Sequence, residues 1–501
     1  MDRNDLEARI VTRGRELFAS IGDEAPSVFN KGRWVGEVMD WCMRNEQFKV
    51  QLFRFIDVFP YLTTPESLSR HLREYFAEED GVPSVFKWGL KGAGLGGRLG
   101  MKVVDGAVRS NLSMMARDFI VGATVSEAIA RLGKLRKQGF AFTVDVLGEA
   151  TVSEREADQY ARNYLELLDG LGEAQGHWPA LGGGEGDLDW GHAPRVNVSV
   201  KPSALYSQAA PVDFEGSVEA ILTRLKPVYQ RVMALGGFLC IDMEMRAIKN
   251  ITLEVYRRLR SDPDCSDYPH LGIALQTYLR DTDEDVDGLL AWARAEGLPI
   301  SIRLVKGAYW DYETVIAGQR GWPAPVYTVK AETDAAFERC AEVILRNHDV
   351  CHFACGSHNL RSVAAAMEMA LALGVPEDRY EFQVLYGMAE PFRKAMLRTT
   401  QRVRLYCPYG EMLPGMAYLI RRLLENTANE SFLRQTFQEG TDIDRLLAPP
   451  QPRAKAAPTV GATQQPGFAN EPFPDWARQE VRDAYAQALA HPGVVGLAIG
   501  T

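Results

Sequence analysis

From residue 140 onward the chain alternates short apolar runs with longer amphipathic stretches, and it does so eight times. The runs read as strands over 140–146, 195–200, 238–243, 271–276, 300–305, 351–355, 380–385 and 402–406. Between them, apolar positions recur three and four apart, which predicts helices near 216–235, 250–259, 286–296, 331–347, 360–373 and 389–397. A last helix is expected near 414–426. Thr124 with Glu127, and Ser153 with Glu156, are Ser/Thr-x-x-Glu patterns that open helices. Eight uninterrupted strand–helix units fit a closed parallel (βα)8 barrel. An open, doubly wound sheet has the same alternation and is the competing architecture.

The segments around this block differ in kind. Residues 1–122 read as helical only, with apolar spacing over 33–44 and 67–79, and form an arm or small domain. The barrel is expected over 123–447. Residues 448–467 are rich in Pro, Ala and Gln, a linker composition. Residues 468–501 resume with one helix near 476–488. A net charge of −10 and the lack of a dense Lys/Arg cluster argue against a nucleic-acid partner. Seven scattered cysteines behind a charged start with no apolar h-region point to a reduced, cytoplasmic setting.

Several patterns resemble sites and are better read as structure. Gly92, Gly94 and Gly97 satisfy G-x-G-x-x-G, but no strand precedes them and no βαβ unit surrounds them. Cys351, His352, Cys355 and His358 lack zinc-site spacing, and the two cysteines share one strand face, so no metal is expected. The glycines over 182–186 read as an insertion loop.

Buried parallel strands should be continuous apolar runs, so charges within them are informative. Lys201 follows Asn197 and Ser199 on one face of the second strand. Asp242 and Glu244 end the third, Gln276 the fourth, and Arg303 and Lys306 mark the fifth. Tyr406 ends the eighth. All would gather at the mouth formed by the C-terminal strand ends, where barrels of this kind place their sites. A purely structural ion-pair rim, with Lys201 and Asp242 neutralising each other, is the simpler alternative. In the last helix Tyr418, Arg421 and Arg422 share one face, and paired guanidinium groups suit a carboxylate.

At these residues the chain resembles proline dehydrogenases, in particular the proline dehydrogenase half of bifunctional proline utilization A proteins. The resemblance rests on the segments Asp145–Glu149, Asn197–Lys201, 241–244, 303–310, 357–359, 380–388 and 418–426. It implies a distorted (βα)8 TIM-like barrel holding FAD noncovalently, with contacts at Gln276, Arg303, Val305, Lys306, Gly307, Thr328, Lys330, Ser357 and His358. The implied L-proline site comprises Lys201, Asp242, Tyr309, Tyr406, Tyr418, Arg421 and Arg422, with Glu149 and Arg421 as a gate. Ser357 stands where the family usually has Thr, and the loop over 408–414 is atypical. Residues 468–472 are similar to the start of an aldehyde dehydrogenase half that is otherwise absent from the sequence.

The resemblance further implies oxidation of L-proline to Δ1-pyrroline-5-carboxylate, the first step of proline catabolism to glutamate. Hydride would pass to the flavin and electrons on to a membrane quinone. A peripheral position at the inner membrane face follows from that acceptor, and a homo-oligomer is compatible with the sequence. Two other classes stay open on the residues alone. One is a lyase or aldolase using Lys201 as a Schiff-base amine; the other is a non-catalytic scaffold.

Overall fold

A computed structural model describes residues 2–22, 51, 54–55, 58–76, 105–106, 119–148, 150–183, 187–411, 422, 443–451 and 471–490. Its centre is a closed parallel barrel in sequence order, β1 (Ala141–Val146), β2 (Asn197–Val200), β3 (Phe238–Ile241), β4 (Leu271–Gln276), β5 (Ile300–Val305), β6 (Cys351–Gly356), β7 (Tyr380–Leu385) and β8 (Val403–Tyr409). Closure is made by β1 and β8, paired from Ala141 opposite Arg404 to Val146 opposite Tyr409. The open-sheet alternative is thereby excluded.

Among the described residues thirteen helices accompany the strands. The first two are α1 (Arg3–Gly22) and α2 (Pro65–Phe76). Ten follow in order: α3 (Val125–Lys137), α4 (Glu154–Gln175), α5 (Phe214–Ala234), α6 (Lys249–Ser261), α7 (Thr282–Glu296), α8 (Trp310–Arg320), α9 (Lys330–Arg346), α10 (Leu360–Ala372), α11 (Glu390–Thr400) and α12 (Ile443–Leu447). The last is α13 (Gln479–Ala490). The two Ser/Thr-x-x-Glu signals work as their chemistry requires. Thr124 and Ser153 accept from the backbone N–H of Glu127 and Glu156, and each glutamate reaches back to a preceding amide, at Ala123 and Val152.

Helix α8 escapes the sequence reading. In α8 only Glu313 and Ala317 are buried, while Trp310, Tyr312 and Val315 are exposed. A helix so lightly packed writes no amphipathic stripe. The expected helix over 33–44, the glycine-rich motif at 92–97 and most of the last barrel helix lie outside the described residues.

The expectation of uniformly apolar strands is corrected. Outward positions such as Phe142, Val144 and Val146 are fully or almost fully buried among the helices. Inward positions alternate with them and many are polar: Thr143 and Asp145, Ser199, Arg303, Glu381 and Gln383, Arg404 and Tyr406, with Cys240, Ala274 and Ala354 beside them on the same face. Hydrogen bonds from Arg303 on β5 to Ser199 on β2 and to Gln383 on β7 cross between non-adjacent strands, which only the lumen permits. The lumen is thus a column of hydrogen-bonded charge inside an apolar shell.

Helix α1 seals the outside of the barrel. It buries Leu6, Ile10, Leu17 and Ile21 and lays Gly14 against Leu447, where a Cβ would come within 2.3 Å of a leucine methyl. Arg9 and Arg13 both bind Glu368, and Glu7 binds Arg361, so polar residues of α10 are answered from α1. This explains why α10 is buried along almost its whole length.

Candidate active site at the barrel mouth

The strands and the residues just beyond them deliver six charged side chains into one continuous network that runs from the mouth down the lumen. Lys201, immediately after β2, sends Nζ to Asp145 Oδ2 at 2.5 Å and to the Tyr406 hydroxyl at 3.2 Å. Asp242, immediately after β3, lies 3.6 Å from that ammonium. Its Oδ1 accepts from Arg303 at 2.5 Å and its Oδ2 from the Tyr406 hydroxyl at 2.6 Å. Arg303 extends the network downward through Nε to Gln383 Oε1 at 2.6 Å. Gln383 then donates to Glu381, which Arg404 grips with two nitrogens at 2.7 and 2.9 Å. Lys201 and Arg303 also lie over the Tyr406 ring, 5.8 and 5.4 Å from its centroid.

The electrostatics differ along this column. Burial pushes the Asp145 carboxyl up to about 6; Lys201 pulls it back and Asp242 adds to the rise. Burial also holds the Tyr406 phenol well above its ordinary range, and the carboxylates of Asp145 and Asp242 reinforce it. Burial alone would lower Arg303, but Cys240, Asp242, Tyr406 and Glu381 together hold it above its usual value. At the lower end Glu381 is depressed to about 2, because Arg404 outweighs the cost of burial.

The residues singled out in the sequence fall into three groups. Lys201, Asp242, Arg303 and Tyr406 come together as described. A second group lines the ends of β4 to β6. Gln276 donates to the Met243 carbonyl at 3.2 Å. Lys306 turns to Asp334 on α9 at 2.5 Å, and Lys330 binds the other oxygen of that carboxylate at 2.6 Å. Burial lowers the Lys306 ammonium. Gly307 takes φ +125, and Val305 ends β5 beside it. The exposed Thr328 precedes α9. Ser357 accepts from the Asn359 amide at 3.1 Å, and His358 Nε2 accepts from the Leu385 amide at 2.8 Å. Tyr309 packs against Tyr278, Leu279 and Val326. In the third group, Arg422 is buried, while Glu149, Tyr418 and Arg421 lie outside the described residues.

One reading is corrected and four residues were overlooked, Asp145 first among them. Lys201 pairs most closely with Asp145; Asp242 serves Arg303 and Tyr406. The signal for Asp145 was present, since it is a carboxylate inside the apolar run 140–146, the same anomaly that drew notice on other strands. A carboxylate 2.5 Å from Lys201 favours its charged form, which opposes the Schiff-base alternative. Gln383, Glu381 and Arg404 were also passed over as site residues, because nothing in their local sequence says that they face the lumen.

A (βα)8 barrel with buried cations, carboxylates and a tyrosine at its mouth defines the general class. The family models narrow it: proline dehydrogenase matches residues 128–435, and the proline utilization A N-terminal domain matches residues 7–119. The chain belongs to the proline dehydrogenase family. It is 30% identical over 385 residues to the bifunctional protein PutA of Klebsiella aerogenes, covering 75% of this chain and 28% of that protein. It is 27% identical over 337 residues to the proline dehydrogenase of Deinococcus radiodurans, covering 67% of this chain and 94% of the other. The crystal structure of proline utilization A from Bdellovibrio bacteriovorus inactivated by N-propargylglycine superposes with a TM-score of 0.85 at 41% identity, over 97% of this chain and 48% of that one. The chain therefore spans about half the length of that solved relative.

Proposed function

We propose that this chain catalyses the FAD-dependent oxidation of L-proline to Δ1-pyrroline-5-carboxylate and passes the electrons to a quinone. The observation that carries the reading is the Lys201–Asp242–Arg303–Tyr406 cluster at the mouth of a barrel of this family.

The residues around β4 to β6 fit a flavin. Gln276 Oε1 is buried without a hydrogen-bond partner among the described residues and can accept from a ring N–H. A Cβ on Gly307 would meet the Tyr278 ring at 2.4 Å, so the backbone there stays bare for close approach. Gln276, Arg303, Val305, Lys306, Gly307, Thr328, Lys330, Ser357 and His358 would hold the cofactor. When bound, FAD supplies hydride acceptance.

The chain's own residues do the rest. Lys201, Arg421 and Arg422 bind the proline carboxylate. Tyr309, Tyr406 and Tyr418 wall the pyrrolidine ring and exclude larger rings and open-chain amino acids. Asp242 fixes Arg303 and Tyr406, whose hydroxyl it orients by accepting its proton in a hydrogen bond. Pairing of Glu149 with Arg421 gates entry. Fixing the substrate in one orientation is the main catalytic contribution.

The test is the visible spectrum of the purified chain before and after anaerobic L-proline. Oxidised flavin bands that bleach with proline support the reading. Flavin that persists discards proline as substrate, and a chain that takes up no FAD on reconstitution discards the flavoenzyme.

A further inference from the structure

We infer that Asp145 is the positioning residue for Lys201, fixing its ammonium for the substrate carboxylate; this rests on the proposed proline oxidation. Asp145 is fully buried near the end of β1, opposite Ser199 on β2 and Pro408 on β8. Lys201 stands two residues beyond Ser199 on the same face. Among the described residues the ammonium has two carboxylates within reach, and they are not equivalent. Both Asp242 oxygens are already engaged, by Arg303 and by the Tyr406 hydroxyl, and the nearer is 3.6 Å away. Asp145 offers Oδ2 at 2.5 Å.

The surroundings hold that one contact in place. Tyr160 donates to the Val146 carbonyl at 2.8 Å, and Tyr164 donates to the Ser199 carbonyl while receiving the Val146 amide. Two phenols on α4 thus peg the backbone beside Asp145 and two residues short of Lys201. Asp145 Oδ1, by contrast, is buried with no hydrogen-bond partner among the described residues. A carboxylate with a purely structural role would fill both oxygens, as Glu381 does with Arg404 and Gln383. Asp145 spends one acceptor on one ammonium and leaves the other unused, at a desolvation cost.

Among the described residues the groups facing Asp145 are Lys201 just beyond β2, Asp242 beyond β3, Tyr406 on β8, and Tyr160 and Tyr164 on α4. With its carboxyl raised to about 6, Asp145 takes up a proton as the medium is acidified through that value. The neutral acid no longer anchors Lys201, and Asp242 becomes its stronger partner. The substrate carboxylate then loses a fixed cation, so KM rises on the acid side while the reacting groups are unchanged.

The experiment is steady-state oxidation of L-proline by the full chain with bound FAD from about pH 5 to 9, in the wild type, Asp145→Asn, Lys201→Met and the double variant. Expected are a wild-type KM that climbs below about pH 6, and a KM in Asp145→Asn raised roughly tenfold at pH 8, the loss of one charged hydrogen bond. The acid climb should vanish in both single variants, and Asp145→Asn should add nothing to KM in the Lys201→Met background. An acid climb that survives in Lys201→Met overturns the assignment, even where Asp145→Asn fails to fold. So do additive effects in the double variant. Wild-type enzyme that proline does not bleach instead overturns the parent reading.

Discussion

The two ends of the barrel lumen handle buried charge differently. At the lower end Glu381 receives Arg404 through two nitrogens and Gln383 besides, so both oxygens are answered and its carboxyl is depressed. At the mouth, Asp145 answers one ammonium with one oxygen, its carboxyl is raised, and Gln276 keeps an unanswered amide oxygen. The first arrangement is complete in itself. The second carries unspent hydrogen-bonding capacity where a ligand can enter. Saturation of the hydrogen bonds, more than the number of charges, separates a structural ion pair from a site.

The contrast breaks most readily at its structural end. Glu381→Ala leaves Arg404 buried without its counterion and should lower unfolding free energy by ~3–5 kcal/mol. A urea midpoint close to wild type would show that the lower end is not structural. Its pH dependence has a fixed sign. Because the folded pKa of Glu381 lies below the ordinary 4.5, its contribution is fully present above pH 4.5 and is lost as pH falls toward about 2. Acid titration of circular dichroism should show that loss in the wild type, diminished in Glu381→Gln.

At the mouth the effects should be on binding. Arg421→Met and Arg422→Met are each expected to raise the proline KM about ten- to a hundredfold, for ~1.5–3 kcal/mol of charged hydrogen bonding. An unchanged KM in both would remove the carboxylate clamp. The smallest effect belongs to the outer seal. Glu7→Gln weakens a partly exposed pair with Arg361 and should cost ~1 kcal/mol or less, with kinetics unaltered. Differential scanning calorimetry beside proline kinetics separates these outcomes.

Strand positions were legible because a run of four to seven residues carries its own signature. β4, β5 and β7 fall where the apolar runs place them. β8 continues past the expected end to Tyr409, because Cys407 and Pro408 face neighbours on β1 that local sequence cannot show. Lys201, Asp242, Arg303 and Tyr406 were legible as anomalies, polar residues within or just beyond apolar runs. Asp145 carried the same anomaly, but its importance depends on which cation closure brings beside it.

The sequence by itself determined the rhythm of eight strand–helix units, the helix starts at Thr124 and Ser153, and which strand ends carry charge. These depend on neighbours two to four residues away. Only the tertiary structure decided the pairings. Lys201 meets Asp145 across 56 residues, Arg303 meets Gln383 across 80, and Arg13 meets Glu368 across 355. The first two pairs follow from the stagger and closure of the barrel, which fix the inward side chains together, and the third from the seating of α1 on α10; none leaves a mark in any local stretch of sequence.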